Sequence, residues 1–201
     1  MAKYDRKDHY HQRAKREGFR SRAAYKLDEI HRAQRLLRPG QAVVDLGCWP
    51  GGWLQVAAAA VAPGGRVVGV DLAVIEPPLE IANTIAIVGD ISELPVIKEV
   101  MDALGRPADV LLSDAAPKLT GIRAVDRARE EALLEAVEAC LPPLLRPGGN
   151  LLLKILEGPE SQAIDRRLRG CFEGAKTVKA RASRKGTTER YLLARGYRGT
   201  G

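Results

Sequence analysis

Apolar residues along the chain form short blocks that alternate between a strand pattern and a helix pattern. In two blocks, Val43-Val44 and Val110-Leu111-Leu112, consecutive residues are apolar, which is typical of strands buried on both faces in a parallel sheet. Residues 22–37 instead have helical spacing, with apolar side chains at Ala23, Leu27, Ile30 and Leu37. The pattern therefore predicts a sheet with helices packed against it.

The predicted elements alternate in the order of a βαβ chain. Strands are predicted over residues 42–46, 66–71, 84–88, 109–113, 150–155, 177–180 and 190–194. Helices are predicted over residues 22–37, 53–61, 92–104, 126–145 and 161–171, with Ser92 as an N-cap and with Ala128, Ala132, Ala136 and Cys140 on one face of the fourth. We therefore predict a doubly wound, Rossmann-like α/β fold of about seven mostly parallel strands with helices on both faces.

Length and composition are those of one domain. The 201 residues (21.8 kDa) are 45% hydrophobic and 28% charged, the balance of a globular protein with a sizeable core. No internal repeat is visible in the sequence. We predict a single domain over residues 1–201, in which residues 1–38 form a basic N-terminal extension.

Charge is distributed unevenly along the chain. Residues 1–38 hold 12 basic and 5 acidic side chains, residues 39–165 hold 9 and 18, and residues 166–201 hold 11 and 2. The net charge of +7 therefore comes from both ends of the chain, which flank an acidic middle. This pattern favours a cofactor-binding body with a polyanion-binding surface built from both termini. Solvated basic tails are the alternative, and the strand pattern of residues 190–194 argues against it.

The sequence predicts neither a disulfide framework nor a structural metal site. The three cysteines (Cys48, Cys140 and Cys171) are far apart, and no Cys-x-x-Cys accompanies the three histidines near the N-terminus. A membrane segment is not expected either, because the longest uncharged run, residues 46–65, is interrupted by Pro50 and a glycine pair. The N-terminus lacks the apolar core of a signal sequence, so we expect a cytoplasmic protein.

A glycine-rich turn follows the first predicted strand, in the segment Asp45-Leu46-Gly47-Cys48-Trp49-Pro50-Gly51-Gly52-Trp53. Glycines let the backbone turn tightly and approach a ligand without a Cβ in the way. The spacing differs from the dinucleotide motif G-x-G-x-x-G, and no Gly-Lys-Ser/Thr of a phosphate-binding loop follows. The turn therefore argues against a nicotinamide cofactor and against phosphoryl transfer.

Acidic residues also end the next two predicted strands. Asp71 ends the second strand, where a carboxylate can accept both hydroxyls of a ribose, and Asp90 follows the third, where it could accept from an adenine amine. Each acid alone could be a helix cap or a solvated loop residue. Acids at the ends of three successive strands, without a pyrophosphate-binding loop, predict S-adenosylmethionine as the cofactor.

A candidate reaction centre lies on the fourth and fifth predicted strands. The fourth ends in Ser113-Asp114, and the fifth contains Lys154 within an apolar run. A charged lysine buried without a partner costs several kcal/mol, so packing alone would favour an apolar residue there. A lysine that reaches water from the strand end is the alternative. The Asn/Asp-Pro-Pro-aromatic motif of amine methylation is absent from this position.

Five stretches between about residue 20 and residue 197 resemble one family. They are SRAAYKLDEI, VVDLGCWPGGW, LLSDAAPKLTG, LLLKILEG and SRKGTTERYLLA. The resemblance is to the FtsJ/RrmJ family of S-adenosylmethionine-dependent ribose 2′-O-methyltransferases, and it implies the Rossmann-like class I methyltransferase fold. The Lys-Asp-Lys-Glu tetrad of that family matches Lys26, Asp114, Lys154 and Glu189 in order and context.

The resemblance also implies a cofactor site. It assigns Gly51, Trp53, Asp71, Asp90 and Asp114 to the cofactor. One departure from the family is Trp49, which is bulky where relatives often carry alanine.

Methylation of a ribose hydroxyl suits the residue types of the tetrad. Alignment of oxygen, methyl carbon and sulfur supplies about 7–11 kcal/mol, and a general base adds about 10²–10⁴-fold in rate. We expect Lys154 to accept the hydroxyl proton or to steer the hydroxyl, with Asp114 orienting the lysine. Lys26 and Glu189 would hold the ribose and the geometry of the lysine.

The basic ends of the chain predict RNA as the partner. The side chains expected to contact phosphates are Arg20, Arg22, Lys26, Arg181, Arg184 and Lys185. Aromatic residues are only 4% of the chain, so recognition should depend on shape and backbone rather than on base stacking. Resemblance to the compact bacterial-type members implies ribosomal RNA of the large ribosomal subunit, at a uridine of the A loop on an assembled subunit. We expect a monomer.

Three other interpretations stay open from the sequence. A tRNA or mRNA-cap 2′-O-methyltransferase would share the tetrad. A nicotinamide-dependent oxidoreductase could use the same fold, although the absent G-x-G-x-x-G argues against it. A non-catalytic RNA-binding or ribosome-assembly protein could keep a cofactor pocket, although the intact tetrad argues against that.

Overall fold

The structure is a computed structural model and describes residues 9–118, 120–155, 159–183, 187 and 189–199. Its helices are α1 (His9–Arg16), α2 (Ala23–Gln34), α3 (Gly52–Val61), α4 (Leu94–Leu104), α5 (Arg123–Leu144) and α6 (Pro159–Gly170). Its strands are β1 (Ala42–Leu46), β2 (Arg66–Asp71), β3 (Thr84–Val88), β4 (Ala108–Ser113), β5 (Leu145–Ile155), β6 (Phe172–Val178) and β7 (Arg190–Tyr197).

Within these residues one sheet holds seven strands in the order β3-β2-β1-β4-β5-β7-β6. The pairs β1·β2, β2·β3, β1·β4 and β4·β5 are parallel, and β7 pairs antiparallel with both β5 and β6. The chain runs outward from β1 to β3 and then crosses to the other side of β1 at β4. This order confirms the predicted doubly wound, Rossmann-like fold with mostly parallel strands.

Apolar layers cover both faces of the sheet. On one face, Leu27 of α2 and Leu54 of α3 pack against Val43 and Val110, and all four are fully buried. On the other face, α4, α5 and α6 bury residues that include Val100, Leu141 and Leu168. Consecutive apolar residues in β1 and β4 therefore face opposite layers, as the apolar blocks of the sequence predicted.

Several predicted boundaries are wrong where tertiary packing decides them. Strands β1, β2 and β3 have the predicted bounds, but β5 begins earlier, at Leu145, and β6 covers Phe172–Val178 rather than residues 177–180. Phe172 pairs with Tyr197, so the β6–β7 hairpin is longer than the apolar run of β7 alone indicates. Long-range pairing, which a local pattern does not contain, sets these ends.

The start of α4 was also predicted wrongly. Ser92 is not its N-cap, because the helix begins at Leu94 and Glu93 occupies the cap position in an extended conformation. The Ser92 hydroxyl donates to Asp90 Oδ1 at 2.7 Å instead. Pro95 at the beginning of the helix has no backbone N–H to satisfy, which suits the first turn.

The alanine row predicted on one face of α5 does not form its buried face. The helix buries Leu134, Val137, Leu141 and Leu144 along with Cys140, whereas Ala132 and Ala136 line a cavity described below. Within the described chain, no helix is both long enough and apolar enough to cross a membrane.

The described part of the basic N-terminal segment packs onto the domain. Leu27 and Ile30 of α2 enter the core that α3 covers, together with Leu36 and Leu37 just after the helix. Helix α1, which has no apolar periodicity and was not predicted, buries Ala14 against Tyr25 and Ala182. The N-terminal and C-terminal basic segments are therefore brought to the same side of the molecule.

Candidate active site and cofactor cavity

A cavity lies where the strand order reverses between β1 and β4. It has a volume of about 680 Å³ and opens at the carboxyl ends of the first four strands. In open α/β sheets this crevice is the usual ligand site, and the volume lies in the range of about 300–1,000 Å³ typical of ligand pockets. Gly47, Asp71, Asp90 and Asp114, which follow or end these strands, are among its lining residues.

Two glycines shape the turn between β1 and α3. Gly47 has φ of +81°, and a Cβ at this position would collide with the side chain of Ala115. Gly51 has φ of +104°, and a Cβ there would lie 2.6 Å from Leu79 Cδ1. Only glycine adopts these conformations in such confined space without strain. The turn therefore brings bare backbone to the mouth of the cavity.

The two acids predicted to hold adenosine both line the cavity and are oriented by backbone N–H groups. Asp71 accepts the N–H of Trp49 at Oδ2 (2.8 Å) and that of Ala73 at Oδ1 (2.9 Å). Asp90 Oδ1 accepts the backbone N–H of Ser92 (2.8 Å) and its hydroxyl. These hydrogen bonds hold the pKa of Asp90 below its ordinary value, and the one from the backbone N–H has the larger effect. Asp90 is thus charged, and the hydrogen bonds fix the direction of both carboxylates.

Gly51 and Trp53, also assigned to the cofactor from the sequence, are not among the residues that line this cavity in the described structure. Gly51 immediately precedes α3, next to Leu79. Trp53 is buried, its Nε1 donates to the backbone carbonyl of Ala23 at 2.8 Å, and its ring lies 5.9 Å from the ring of Tyr191. Trp53 thereby ties α3 to α2, and its cofactor role stays a prediction.

Asp45, at the end of β1, is a fully buried carboxylate. Within the described chain neither of its oxygens has a hydrogen-bond partner. Burial, and then the negative charges of Asp114 and Asp71, raise the pKa of Asp45 well above its ordinary value. A buried polar group without a partner is costly, and the raised pKa favours the neutral carboxyl of Asp45, which is not among the residues that line the cavity in the described structure.

The four residues of the predicted tetrad come together beside the cavity. Asp114, which lines the cavity, is their centre. Lys154 Nζ lies 3.2 Å from Asp114 Oδ1 and also donates to the Asp114 backbone carbonyl, and Lys26 Nζ lies 3.6 Å from Asp114 Oδ2. Two lysines from distant parts of the sequence, one on β5 and one on α2, thus share the carboxylate that follows β4.

Glu189 completes the tetrad from the residue before β7. Its Oε2 accepts a hydrogen bond from Lys26 at 2.8 Å, and its Oε1 accepts one from the hydroxyl of Ser183 at 2.7 Å. Burial opposes the charged form of Glu189. The charge and hydrogen bond of Lys26, with Ser183 and the charge of Lys154, outweigh that effect and lower the pKa of Glu189. Glu189 is therefore ionised and anchors Lys26.

The tetrad is a charge-balanced cluster in a secluded site. Its four side chains are only 9–15% exposed, and the two lysines face the two carboxylates. Opposite charges at these distances offset much of the cost of desolvation, which a single buried lysine would not. The lysine that packing alone disfavours in β5 thus has its partners.

Tyr191 is a member of the site that the sequence interpretation missed. Its buried hydroxyl donates to Asp114 Oδ1 at 2.7 Å and lies 3.3 Å from Glu189 Oε1. Tyr191 pairs with Lys154 in the β5–β7 register, and its ring lies beneath Lys26 Nζ at 5.9 Å. Alternation along β7 carried the signal, because residues two apart, such as Glu189 and Tyr191, point to one face of a strand.

Of the predicted phosphate contacts, Arg22 lies next to the segment that carries Arg181, whereas Arg20 contacts the loop after β2. Arg22 donates to the carbonyl of Ala182 and lies over the ring of Tyr10, and Arg20 Nη2 donates to the carbonyl of Pro78 at 3.0 Å. The side chain of Arg181 is exposed. Lys26 is a member of the tetrad, and the last two, Arg184 and Lys185, lie outside the described residues.

Chemically, the site joins a cavity lined by acidic residues at the ends of the strands to a lysine-centred cluster that can orient and deprotonate an acceptor. Together with the sheet order, this arrangement defines a Rossmann-like methyltransferase. Residues 19–197 match the FtsJ-like methyltransferase family, and the chain belongs to that family.

Curated relatives match nearly the whole chain. Over 201 residues the chain is 41% identical to ribosomal RNA large subunit methyltransferase E of Methanosphaera stadtmanae, an alignment that covers 99% of this chain and 97% of that protein. It is 40% identical over 193 residues to the protein of the same name from Pseudomonas aeruginosa, covering 96% and 92%.

Solved structures share the fold. A ribosomal RNA methyltransferase described from Plasmodium falciparum superposes with a TM-score of 0.79 at 26% identity, covering 90% of this chain and all of that one. Fibrillarin of Aeropyrum pernix, in complex with natively bound S-adenosylmethionine, has a TM-score of 0.60 at 18% identity, covering 85% of this chain and 73% of that one. The second likeness is one of fold alone.

Proposed function

We propose that this protein transfers the methyl group of S-adenosylmethionine to the 2′-hydroxyl of a ribose in large-subunit ribosomal RNA. The observation that carries the proposal is the position of Asp114, which both lines the cavity and holds Lys154 at 3.2 Å and Lys26 at 3.6 Å. A hydroxyl that reaches this carboxylate from outside meets the cofactor cavity on one side and the two lysines on the other.

The donor set of the cavity fits S-adenosylmethionine. Asp71 would accept the ribose hydroxyls and Asp90 the adenine amine, and both residues line the cavity. When bound, the cofactor supplies a methyl group on a positively charged sulfur, which is a reactive electrophile. The bound S-adenosylmethionine of fibrillarin, a protein of the same fold, is consistent with this choice.

The tetrad would orient the acceptor and remove its proton. In this proposal Lys154 Nζ, after releasing its own proton to water, would take the proton of the 2′-hydroxyl as the oxygen bonds to the methyl carbon and the methyl–sulfur bond breaks, which leaves a neutral thioether. Asp114 then stabilises the ammonium group so formed. Lys26, paired with Glu189 at 2.8 Å, would hold the ribose oxygen in line.

The substrate is proposed from charge and from the relatives' names. Basic residues of both chain ends lie on one side of the domain, where Arg181 is exposed, and a phosphate backbone is their complementary partner. The relatives cited above are named ribosomal RNA large subunit methyltransferase E. We propose a uridine of the A loop, met on an assembled large subunit, as the target.

The test is methyl transfer with S-adenosylmethionine labelled in the methyl group. Isolated large subunits that lack the modification should accept label, naked ribosomal RNA should accept much less, and digestion should locate one 2′-O-methyluridine. Label in tRNA or in a cap would assign a different RNA to the same chemistry. Binding of NADH in preference to S-adenosylmethionine, or cofactor binding without any transfer, would overturn the proposal.

A further inference from the structure

The segment between β6 and β7 is clamped to α2 by one carboxylate. Glu29 Oε1 accepts the backbone N–H of Arg181 at 2.9 Å, and Glu29 Oε2 accepts that of Ala182 at 3.2 Å. Two consecutive peptide N–H groups thus point at a single side chain 152 residues away in sequence. Charge-assisted hydrogen bonds of this kind are about twice as strong as neutral ones.

The same segment is also held at the backbone carbonyl of Ala182. Arg22, which directly precedes α2, donates from its guanidinium to the carbonyl of Ala182. The Ala182 side chain is buried against Tyr25 and Ala14. Helix α2 therefore fixes the position and the orientation of this segment through both polar and apolar contacts.

The clamped segment leads directly to the tetrad. Ser183, the next residue, donates its hydroxyl to Glu189 Oε1 at 2.7 Å, and Glu189 Oε2 holds Lys26 at 2.8 Å. Lys26 and Glu29 are three residues apart on α2, so they lie on neighbouring positions of one helix face. Helix α2 therefore supplies Lys26 and, through Glu29, the hydrogen bonds that position the segment leading to Glu189, the partner of Lys26.

We propose that Glu29 and Ser183 are positioning residues for methyl transfer, through which the basic segment that carries Arg181 sets the geometry of Glu189 and Lys26. The inference rests on the proposed function. Neither residue touches the reacting atoms, and each acts through Glu189. RNA that binds at Arg181 would then engage a segment already tied to the tetrad by two hydrogen-bonded steps.

Hydrogen exchange tests the clamp without reference to activity. In Glu29→Ala the amides of Arg181 and Ala182 should exchange faster than in the wild type, whereas Ser183→Ala, which breaks only the next step, should leave them protected. Asp28→Asn is the matched control, since Asp28 is the adjacent carboxylate on α2 and pairs with the exposed Arg32 at 2.9 Å. Unchanged amide protection in Glu29→Ala would overturn the clamp.

Single-turnover methyl transfer at saturating RNA and cofactor tests the link to chemistry. Glu29→Ala and Ser183→Ala should each lower the rate by about tenfold or more with cofactor affinity unchanged, because small displacements of reacting groups are costly. Ser183→Thr, which keeps a hydroxyl donor, should restore most of the rate, and Asp28→Asn should match the wild type. Wild-type rates in Glu29→Ala and Ser183→Ala would overturn the inference. If Glu29→Ala does not fold, Glu29→Gln replaces it in both experiments.

Failure of the proposed function and failure of the positioning role give different results. If the wild-type protein transfers no methyl group to ribose, the proposed function fails and the positioning role fails with it, whatever the exchange data show. If the wild type is active and Ser183→Ala is equally active, only the positioning role fails.

Discussion

The hydroxyl of Tyr191, on β7, donates a hydrogen bond to Asp114 Oδ1 at 2.7 Å. Burial, and then the charges of Asp114 and Glu189, raise the pKa of Tyr191 far above its ordinary value, so the phenol remains a donor throughout the physiological pH range. Since Lys154 approaches the same oxygen of Asp114, Tyr191 fixes the rotation of the carboxylate that both lysines share.

Tyr191→Phe removes this hydrogen bond and keeps the ring that packs beside Trp53. We expect methyl transfer to slow by about tenfold, because an Asp114 freed to rotate holds Lys154 less well, with a stability loss of only about 1 kcal/mol. Single-turnover rates and thermal unfolding measure the two effects. Unchanged transfer in a folded Tyr191→Phe variant would contradict the assigned role.

Asp45 predicts an unusual dependence of stability on pH. Its pKa in the folded protein is raised above the unfolded value of about 3.9, so between those two pKa values the folded state holds a proton that the unfolded state has lost. Stability from this group is therefore full at low pH and falls as the pH rises from the unfolded pKa to the folded one.

Asp45→Asn removes this loss. We expect the ligand-free variant to be more stable than the wild type at pH 7, by about 1–3 kcal/mol, and to match it below about pH 4. Denaturation of both proteins between pH 4 and pH 8 measures the difference. A stability difference independent of pH would contradict the prediction.

Asp109→Asn is the control of opposite sign. Burial works against the charged form of Asp109, but hydrogen bonds from Arg106, the backbone of Ala42 and Arg146 lower its pKa overall. Stability from Asp109 is therefore present above its unfolded pKa and is lost as the pH falls through its folded pKa. Asp109→Asn should destabilise the protein at pH 7, where Asp45→Asn stabilises it.

The two tryptophans report separately on the cofactor cavity. Trp49 lines the cavity and is 56% exposed, whereas Trp53 is 3% exposed and lies outside it. Binding of S-adenosylhomocysteine should change the emission of Trp49, because the ligand displaces water from its surroundings. Trp49→Phe should abolish most of the fluorescence change. A change of equal size in that variant would place the ligand elsewhere.

Arg181 should contribute a phosphate contact. Its side chain is exposed while its backbone is fixed by Glu29, so Arg181→Ala should remove charge without moving the segment. The slope of log K against log salt for RNA binding should become less steep by about 0.7. Lys98→Ala on α4, which packs on the opposite face of the sheet, should leave the slope unchanged. Equal slopes for Arg181→Ala and the wild type would remove Arg181 from the interface.

The strands and their order could be predicted because their signal is local. Strands β1 to β3 are largely apolar runs that end at Asp71 or just before a glycine, and their predicted bounds hold. Helix α1 was not predicted because it has no apolar stripe. Tertiary contacts hold it instead, such as that of Arg13 over the ring of Tyr25 at 4.7 Å. Helix starts such as that of α4 depend on which acceptor a serine finds, which the sequence leaves open.

The tetrad was predicted through the family resemblance, and the structure brings its four members together. Its supporting contacts were not predictable. The unpartnered state of Asp45 is a property of packing, and the clamp of Glu29 joins residues 152 positions apart, a distance over which no local pattern operates. Tyr191 lay between these cases, since strand alternation already put it on the face of Glu189.

In the proposed reaction, Lys154 takes the proton of a ribose hydroxyl during methyl transfer from S-adenosylmethionine. The most direct measurement is the single-turnover rate at which label appears in 2′-O-methylated nucleotide of the large subunit, in the wild type and in Lys154→Ala. We expect the variant to bind S-adenosylhomocysteine normally and to transfer methyl about 10²–10⁴-fold more slowly. A Lys154→Ala rate equal to that of the wild type would contradict the account.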